Sequence, residues 1–316
     1  MTTFTGVDHV GIGVGDIDAA IAFYGRHVGF DRVLFDYTGE LPGLEAVAGR
    51  TPRARVAMLG NSGATPIGPG HVKLVQVLDG DGPPPVPEGQ AWGEVGVCEI
   101  CLHVRNVQEV HEGLVAAGCA SLMEPMSADV PPSGVTLDIA YVADPWGTKL
   151  ELIEWTGLWR SLPGLARAEG VNHVAFGVTD MARTRSFYER LGFTQLLFES
   201  VEFFDPMAPW YQAPWYDPGN LPAQHMTMPM PPQGAAIEPV VLDPPGHDCR
   251  GEWGHLGPMD FGIRVGNIDA ATAQLRAQGV AVHGGPQCLD VGSGEWRYVY
   301  FAEPDGNYVA LVEARY

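Results

Sequence analysis

Two histidines stand at matching places in this chain: His9 in GVDHVGIGVGDIDAAIAFYGRHVGF (residues 6–30) and His173 in GVNHVAFGVTDMARTRSFYERLGF (residues 170–193). An imidazole on a strand can bind a metal or carry a proton, provided that other polar groups reach it. Two acid-bearing segments recur as well. EICLHVRNVQEVHEGLVAAG, opening on Glu99, matches DFGIRVGNIDAATAQLRAQG, opening on Asp260, and DPWGTKLELIE, which carries Glu151, matches EPDGNYVALVE. Cys98 and Cys101 form a C-x-x-C, but residues three apart in a strand point to opposite faces and no second pair exists, so a zinc site is not expected there.

Repetition of this kind fixes the architecture that must position these groups. Four units are expected, beginning near Val7, Val97, Val171 and Met259. Each opens with an alternating strand, turns, and enters a helix. In unit one Asp16 is a plausible N-cap, Ile17, Ile21, Tyr24 and Val28 share a helical stripe, and Gly29 supplies the stop. Unit three repeats this with Asp180 as cap. Shorter β-type runs follow, among them ARVAML, HVKLVQVL, DIAYVAD and TKLELIE. The expected fold class is α+β, with four βαβββ units in two domains: residues 1–157 (units one and two), a linker over 158–170, and residues 171–316 (units three and four). The region from Phe203 to Gly257 reads as a long surface excursion or a substrate lid.

Composition narrows the function classes. A net charge of -20 with only 18 Lys and Arg residues argues against nucleic acid. No apolar run reaches the roughly 18 residues needed to cross a bilayer. Five cysteines, an odd number, suit free thiols, and with no leader pattern at Met1 to Thr5 a cytoplasmic location is expected.

A βαβββ unit whose first strand carries a His, and whose last strand follows D-P-x-G with a Glu shortly after the glycine, resembles the vicinal oxygen chelate superfamily, which includes glyoxalase I, methylmalonyl-CoA epimerase, extradiol dioxygenases and bleomycin-resistance proteins. The resemblance covers nearly the whole chain. It implies that two units form a curved eight-stranded sheet around a divalent metal, with ligands from the first and last strand of each unit. Carried over, it gives His9 and Gln76 from unit one and Glu99 and Glu151 from unit two. Strand parity agrees: apolar neighbours flank His9 (Val10, Ile12), Gln76 (Val75, Val77), Glu99 (Ile100, Leu102) and Glu151 (Leu150, Leu152), so each polar residue can face away from the helices. In the second half His173 and Asp260 are retained, but Val240 and Ala310 fall at the last-strand positions, so a degenerate, metal-free site is expected there. Glu238, two residues from Val240 on the same face, is the residue that could overturn this. Relatives pair units one with two and three with four, or one with four and two with three; sequential pairing is preferred because neighbours in sequence usually pack together.

An imidazole, an amide oxygen and two carboxylates would suit Mn, Mg, Co, Ni or Zn; Fe(II) ranks lower because its oxygenases use two His and one carboxylate. The resemblance then implies an isomerase, epimerase or lyase that moves a proton at the carbon next to a carbonyl of a small oxygen-rich substrate through a metal-stabilised enediolate. Glu151 or Glu99 would be the base, with His103, on the same strand face as Glu99, as a further candidate. The alternatives are a ring-cleaving dioxygenase of the extradiol type, which the aromatic tract WYQAPWYDPG (residues 210–219) could serve, and a metal-free drug-binding resistance protein. A monomer or homodimer would suffice.

Overall fold

The structure, a computed structural model, describes residues 4–62, 70–130, 135–155, 167–200, 223–228 and 234–315. Most of the expected linker and the whole aromatic tract at 210–219 lie outside the described residues.

The order of elements follows the sequence pattern. Strand β1 (Phe4–Gly13) leads into helix α1 (Ile17–Phe23), then β2 (Arg32–Glu40), a short helix α2 (Glu45–Ala48), β3 (Arg53–Gly60) and β4 (His71–Val77). The next stretch is β5 (Gly96–Arg105), α3 (Val107–Ala116), β6 (Ala120–Val130), β7 (Val135–Ala143) and β8 (Lys149–Trp155). It is followed by β9 (Arg167–Val178), α4 (Met181–Glu189), β10 (Gln195–Ser200), β11 (Ala223–Met228) and β12 (Ala236–Val241). The chain closes with β13 (Gly257–Val265), α5 (Ile268–Ala277), β14 (Gln287–Asp290), β15 (Glu295–Ala302) and β16 (Tyr308–Arg315). This is a mixed α+β fold consistent with duplicated βαβββ units. The first helix of each half starts where a short polar side chain can accept from its first turn: Asp16 from the Ala19 N–H at 3.0 Å and Asp180 from the Arg183 N–H at 3.0 Å. A π turn from Tyr24 to Val28 ends at Gly29, whose φ of 107° places it in the left-handed region that closes a helix.

The strands form two eight-stranded sheets, and their order corrects the preferred pairing. Sheet one combines β1 to β4 with β13 to β16; sheet two combines β5 to β8 with β9 to β12. The joins are antiparallel, β1 beside β13 with His9 opposite Gly262, and β5 beside β9 with Cys101 opposite His173. A division into residues 1–157 and 171–316 therefore cuts across both sheets. Consecutive stretches do pack together, as the neighbour rule expects, but through their helices and sheet backs rather than their edges. The Tyr24 hydroxyl donates to Asp144 at 2.7 Å, Trp146 stacks on Tyr24, and Phe176 of sheet two lies 5.1 Å from Phe261 of sheet one.

Burial follows strand parity. Val10, Ile12, Val72 and Leu74 of sheet one and Ile100, Leu102, Leu150 and Leu152 of sheet two join the helices in one continuous core. The opposite faces carry two smaller apolar clusters, one per sheet, and the polar residues of interest stand among them. No described helix is long and apolar enough to cross a membrane.

Candidate metal centre

On sheet two, parity turns Glu99, Cys101 and His103 of β5 to one face, and the parallel pairing of β5 with β8 sets Glu151 level with Cys101. From the other half of the sheet, β9 brings His173, and β12 sets Glu238 level with Ala175. These four strands carry the acids and the imidazole to one point. His173 Nε2 lies 3.4 Å from Glu99 Oε1, 3.3 Å from Glu151 Oε2 and 2.9 Å from Glu238 Oε2. All four residues are buried.

The remaining atoms of these side chains are anchored. The Trp92 indole N–H donates to Glu99 Oε2 at 2.7 Å, the Tyr141 hydroxyl donates to Glu151 Oε1 at 2.7 Å, and His173 Nδ1 is 2.9 Å from Asn172 Oδ1. Outer partners of this kind fix the orientation of ligating side chains. His173 Nδ1 then carries the proton shared with Asn172, which leaves Nε2 as the ring atom that faces the three carboxylates.

Three carboxylates around one imidazole, in a buried place, repel one another. Burial, and then the neighbouring Glu151 charge, push the Glu99 carboxyl up to about 8. Burial also pushes Glu151 up, but the adjacent His173 outweighs it and holds that carboxyl below its ordinary value. Desolvation acts to lower His173, yet Cys101 and the facing acids hold it well above an ordinary histidine. The Cys101 thiol is pushed well up by burial and by Glu151. Such a cluster could hold a divalent cation: it has excess negative charge, converging oxygens, and Glu99 Oε1, Glu151 Oε2 and His173 Nε2 buried without a hydrogen bond. Two overlapping groups, Glu99 with His173 and Glu238, and Cys101 with Glu151 and His173, hold their donor atoms within 4.8 Å of one another. One imidazole and three carboxylates make a hard, oxygen-rich set that fits such an ion.

Glu99 and Glu151 thus stand together, but His9 and Gln76 do not join them: both belong to sheet one. Gln76 is also on the wrong face. In β4 the residues level with His9 and Gly11 are His71 and Lys73, so Val75 and Val77 follow them on the concave side while Gln76 points back toward the helices. There its amide caps α1, donating to the Gly15 carbonyl at 2.8 Å and accepting from the Ile17 N–H at 3.2 Å. In β12 the position that reaches the imidazole is Glu238 rather than Val240, since Ala236 is level with His173 and Glu238 stands two places beyond it on the same face. His103 shares the Glu99 face but stands two residues past Cys101, about 7 Å further along the strand; burial lowers it to about 4. Trp92 and Tyr141 carried no signal in the sequence alone, although each has a counterpart in the other sheet, Trp253 and Tyr300.

Residues 6–152 and 170–311 each match the Glyoxalase/Bleomycin resistance protein/Dioxygenase superfamily. The chain belongs to this superfamily. Among solved structures, glyoxalase I from Zea mays is 17% identical, with 98% of this chain and 92% of that chain covered at a TM-score of 0.60. A mutant of the maize enzyme gives 18% identity, 98% and 93% coverage and a TM-score of 0.59. A putative dioxygenase from Bacillus subtilis gives 12% identity, 99% and 86% coverage and a TM-score of 0.58. At such identities the likeness is one of fold. No curated protein matches the chain. Superfamily fold and convergent donor groups together support a metal-dependent enzyme in general terms.

Proposed function

We propose that the protein is a divalent-metal-dependent isomerase, epimerase or lyase that moves a proton at the carbon next to a carbonyl of a small oxygen-rich substrate. The observation that carries this reading is the meeting of Glu99, Glu151 and Glu238 at His173 Nε2. Three carboxylates exceed what a divalent ion needs for neutrality, so one of them can serve as a base. When bound, the ion would supply Lewis-acid polarisation of two neighbouring substrate oxygens. Glu99 and Glu151 are held at their second oxygens by Trp92 and Tyr141. Glu238 is held at one oxygen by His173, at 2.9 Å, and is the carboxylate we assign to accept the proton. The wall around it is apolar, with Met123, Ile139, Ile153, Ala175 and Val240, which keeps water from competing for that proton. Manganese, magnesium, cobalt, nickel or zinc fits this donor set better than Fe(II), because a single imidazole replaces the usual pair.

The test is proton exchange. Metal-loaded protein incubated with α-hydroxyketones, α-hydroxythioesters and cyclic ketopolyols in deuterated water should exchange one substrate C–H, and Glu238→Gln should abolish exchange while the metal is retained. Oxygen consumption with catechols in place of exchange would favour ring cleavage and remove this reading.

A further inference from the structure

Sheet one carries a second copy of the same arrangement, with two residues changed in kind. By register His9 corresponds to His173, Asp260 to Glu99, Ala310 to Glu151, and Lys73 to Glu238, because Lys73 is level with Gly11 as Glu238 is level with Ala175. The supports are retained too. Trp253 donates to Asp260 Oδ2 at 3.2 Å as Trp92 does to Glu99, Tyr300 donates to the same carboxylate, and His9 Nδ1 is 3.0 Å from Asp8 as His173 is from Asn172. In the middle stands an ammonium group. Lys73 Nζ donates to Asp260 Oδ2 at 2.7 Å, lies 3.4 Å from the Tyr300 hydroxyl and 6.0 Å from the ring centroids of Trp296 and Tyr300, and the residue is 1% exposed.

We infer that Lys73 is a tethered replacement for a second metal ion, so that the chain takes up one ion, in sheet two, and sheet one holds a latent metal site that the ammonium blocks. This rests on the reading of the sheet-two cluster as a metal centre. The positive charge sits where the cation of the other sheet would be held, it neutralises Asp260, and it repels any further cation at contact distance. The loss of the acid at Ala310 fits the same change, since one ammonium balances one carboxylate where a divalent ion balances two. Two donor atoms of the old set, His9 Nε2 and Asp260 Oδ1, remain buried without a hydrogen-bond partner. On the same sheet Leu41, Leu44, Trp296 and Tyr298 belong to one buried apolar cluster, and the Tyr298 hydroxyl donates to the Pro42 carbonyl at 2.8 Å.

Chelator-stripped protein, Lys73→Glu and Glu238→Lys would each be titrated with Mn(II) and Co(II), with bound metal counted by elemental analysis and folding followed by near-ultraviolet circular dichroism. The expected counts are one ion for the unaltered chain, two for Lys73→Glu, whose carboxylate would join His9 and Asp260, and none for a folded Glu238→Lys. Two ions on the unaltered chain, or no more ions on a folded Lys73→Glu than on the unaltered chain, would overturn the inference. Should Lys73→Glu fail to fold, retention of the ion by Glu238→Lys would do the same. An unaltered chain that binds no ion would instead overturn the metal reading of sheet two, and a gain of one ion by Lys73→Glu would still support the role of Lys73.

Discussion

Replacing Tyr141 by Phe removes one oxygen and almost no volume from a buried ring, so its consequence can be worked from a single contact. The hydroxyl donates to Glu151 Oε1 at 2.7 Å, a short charge-assisted hydrogen bond between buried groups. Bonds to a charged partner contribute about 1.5–3 kcal/mol. With about 1.4 kcal/mol per tenfold change in an equilibrium constant, the metal dissociation constant should rise by about 10- to 100-fold, the range measured when outer partners of metal ligands are removed. Competition against a chromophoric chelator at fixed pH would read this directly. Tyr300→Phe is the matched control: it removes the equivalent hydroxyl from the Asp260 and Lys73 cluster, so it should lower stability and leave metal affinity unchanged. A Tyr141→Phe variant whose dissociation constant stays within about twofold, or a Tyr300→Phe variant that weakens metal equally, would refute the assignment of the ion to sheet two.

Three further outcomes can be measured. The Glu99 carboxyl, raised in the metal-free fold to about 8 from 4.5 by burial and Glu151, binds a proton more tightly folded than unfolded. Its contribution to stability is thus full below the unfolded value and is lost as pH rises through about 8. Chelator-treated protein should melt at progressively lower temperature from about pH 5 to pH 8, Glu99→Gln should flatten that slope, and metal uptake below pH 8 should release protons to a weak buffer. Gln76→Ala should destabilise the protein by about 1–2 kcal/mol in urea unfolding, through the lost cap on α1, with no change in metal content. Gly13→Ala should cost more than about 4 kcal/mol or prevent folding, because its Cβ would fall 1.7 Å from the His255 carbonyl oxygen, a backbone atom with nowhere to move.

What can be read from the sequence is whatever is periodic. Helix caps at Asp16 and Asp180, the stop at Gly29, and the inward turn of Glu99 and Glu151 all follow from local spacing, and the structure keeps them. Gln76 departs from its expected place for a reason of the same kind. In a run such as HVKLVQVL apolar residues sit on both faces, so parity has no polar side to declare, and a shift of three residues exchanges concave Lys73 for convex Gln76. The pairing of His173 rather than His9 with the two glutamates is not legible at all. Backbone hydrogen bonds between β1 and β13 are the same whatever side chains the strands carry, so the local pattern of either strand does not name its edge partner.

The two sheets differ in how they are threaded. Sheet two uses the uninterrupted middle of the chain, from Gly96 to Val241, whereas sheet one joins Phe4 at one end to Arg315 at the other. On a ribosome, every residue of the Glu99, Glu151, His173 and Glu238 cluster has emerged while β13 to β16 are still unmade, and β1 must wait with an open edge for a partner about 250 residues away. Long-range joins of that sort close slowly. The nested half can therefore be complete, with its acids and imidazole brought together, before the outer half exists as a sheet, and β13 to β16 then seal the half in which a lysine is already in place.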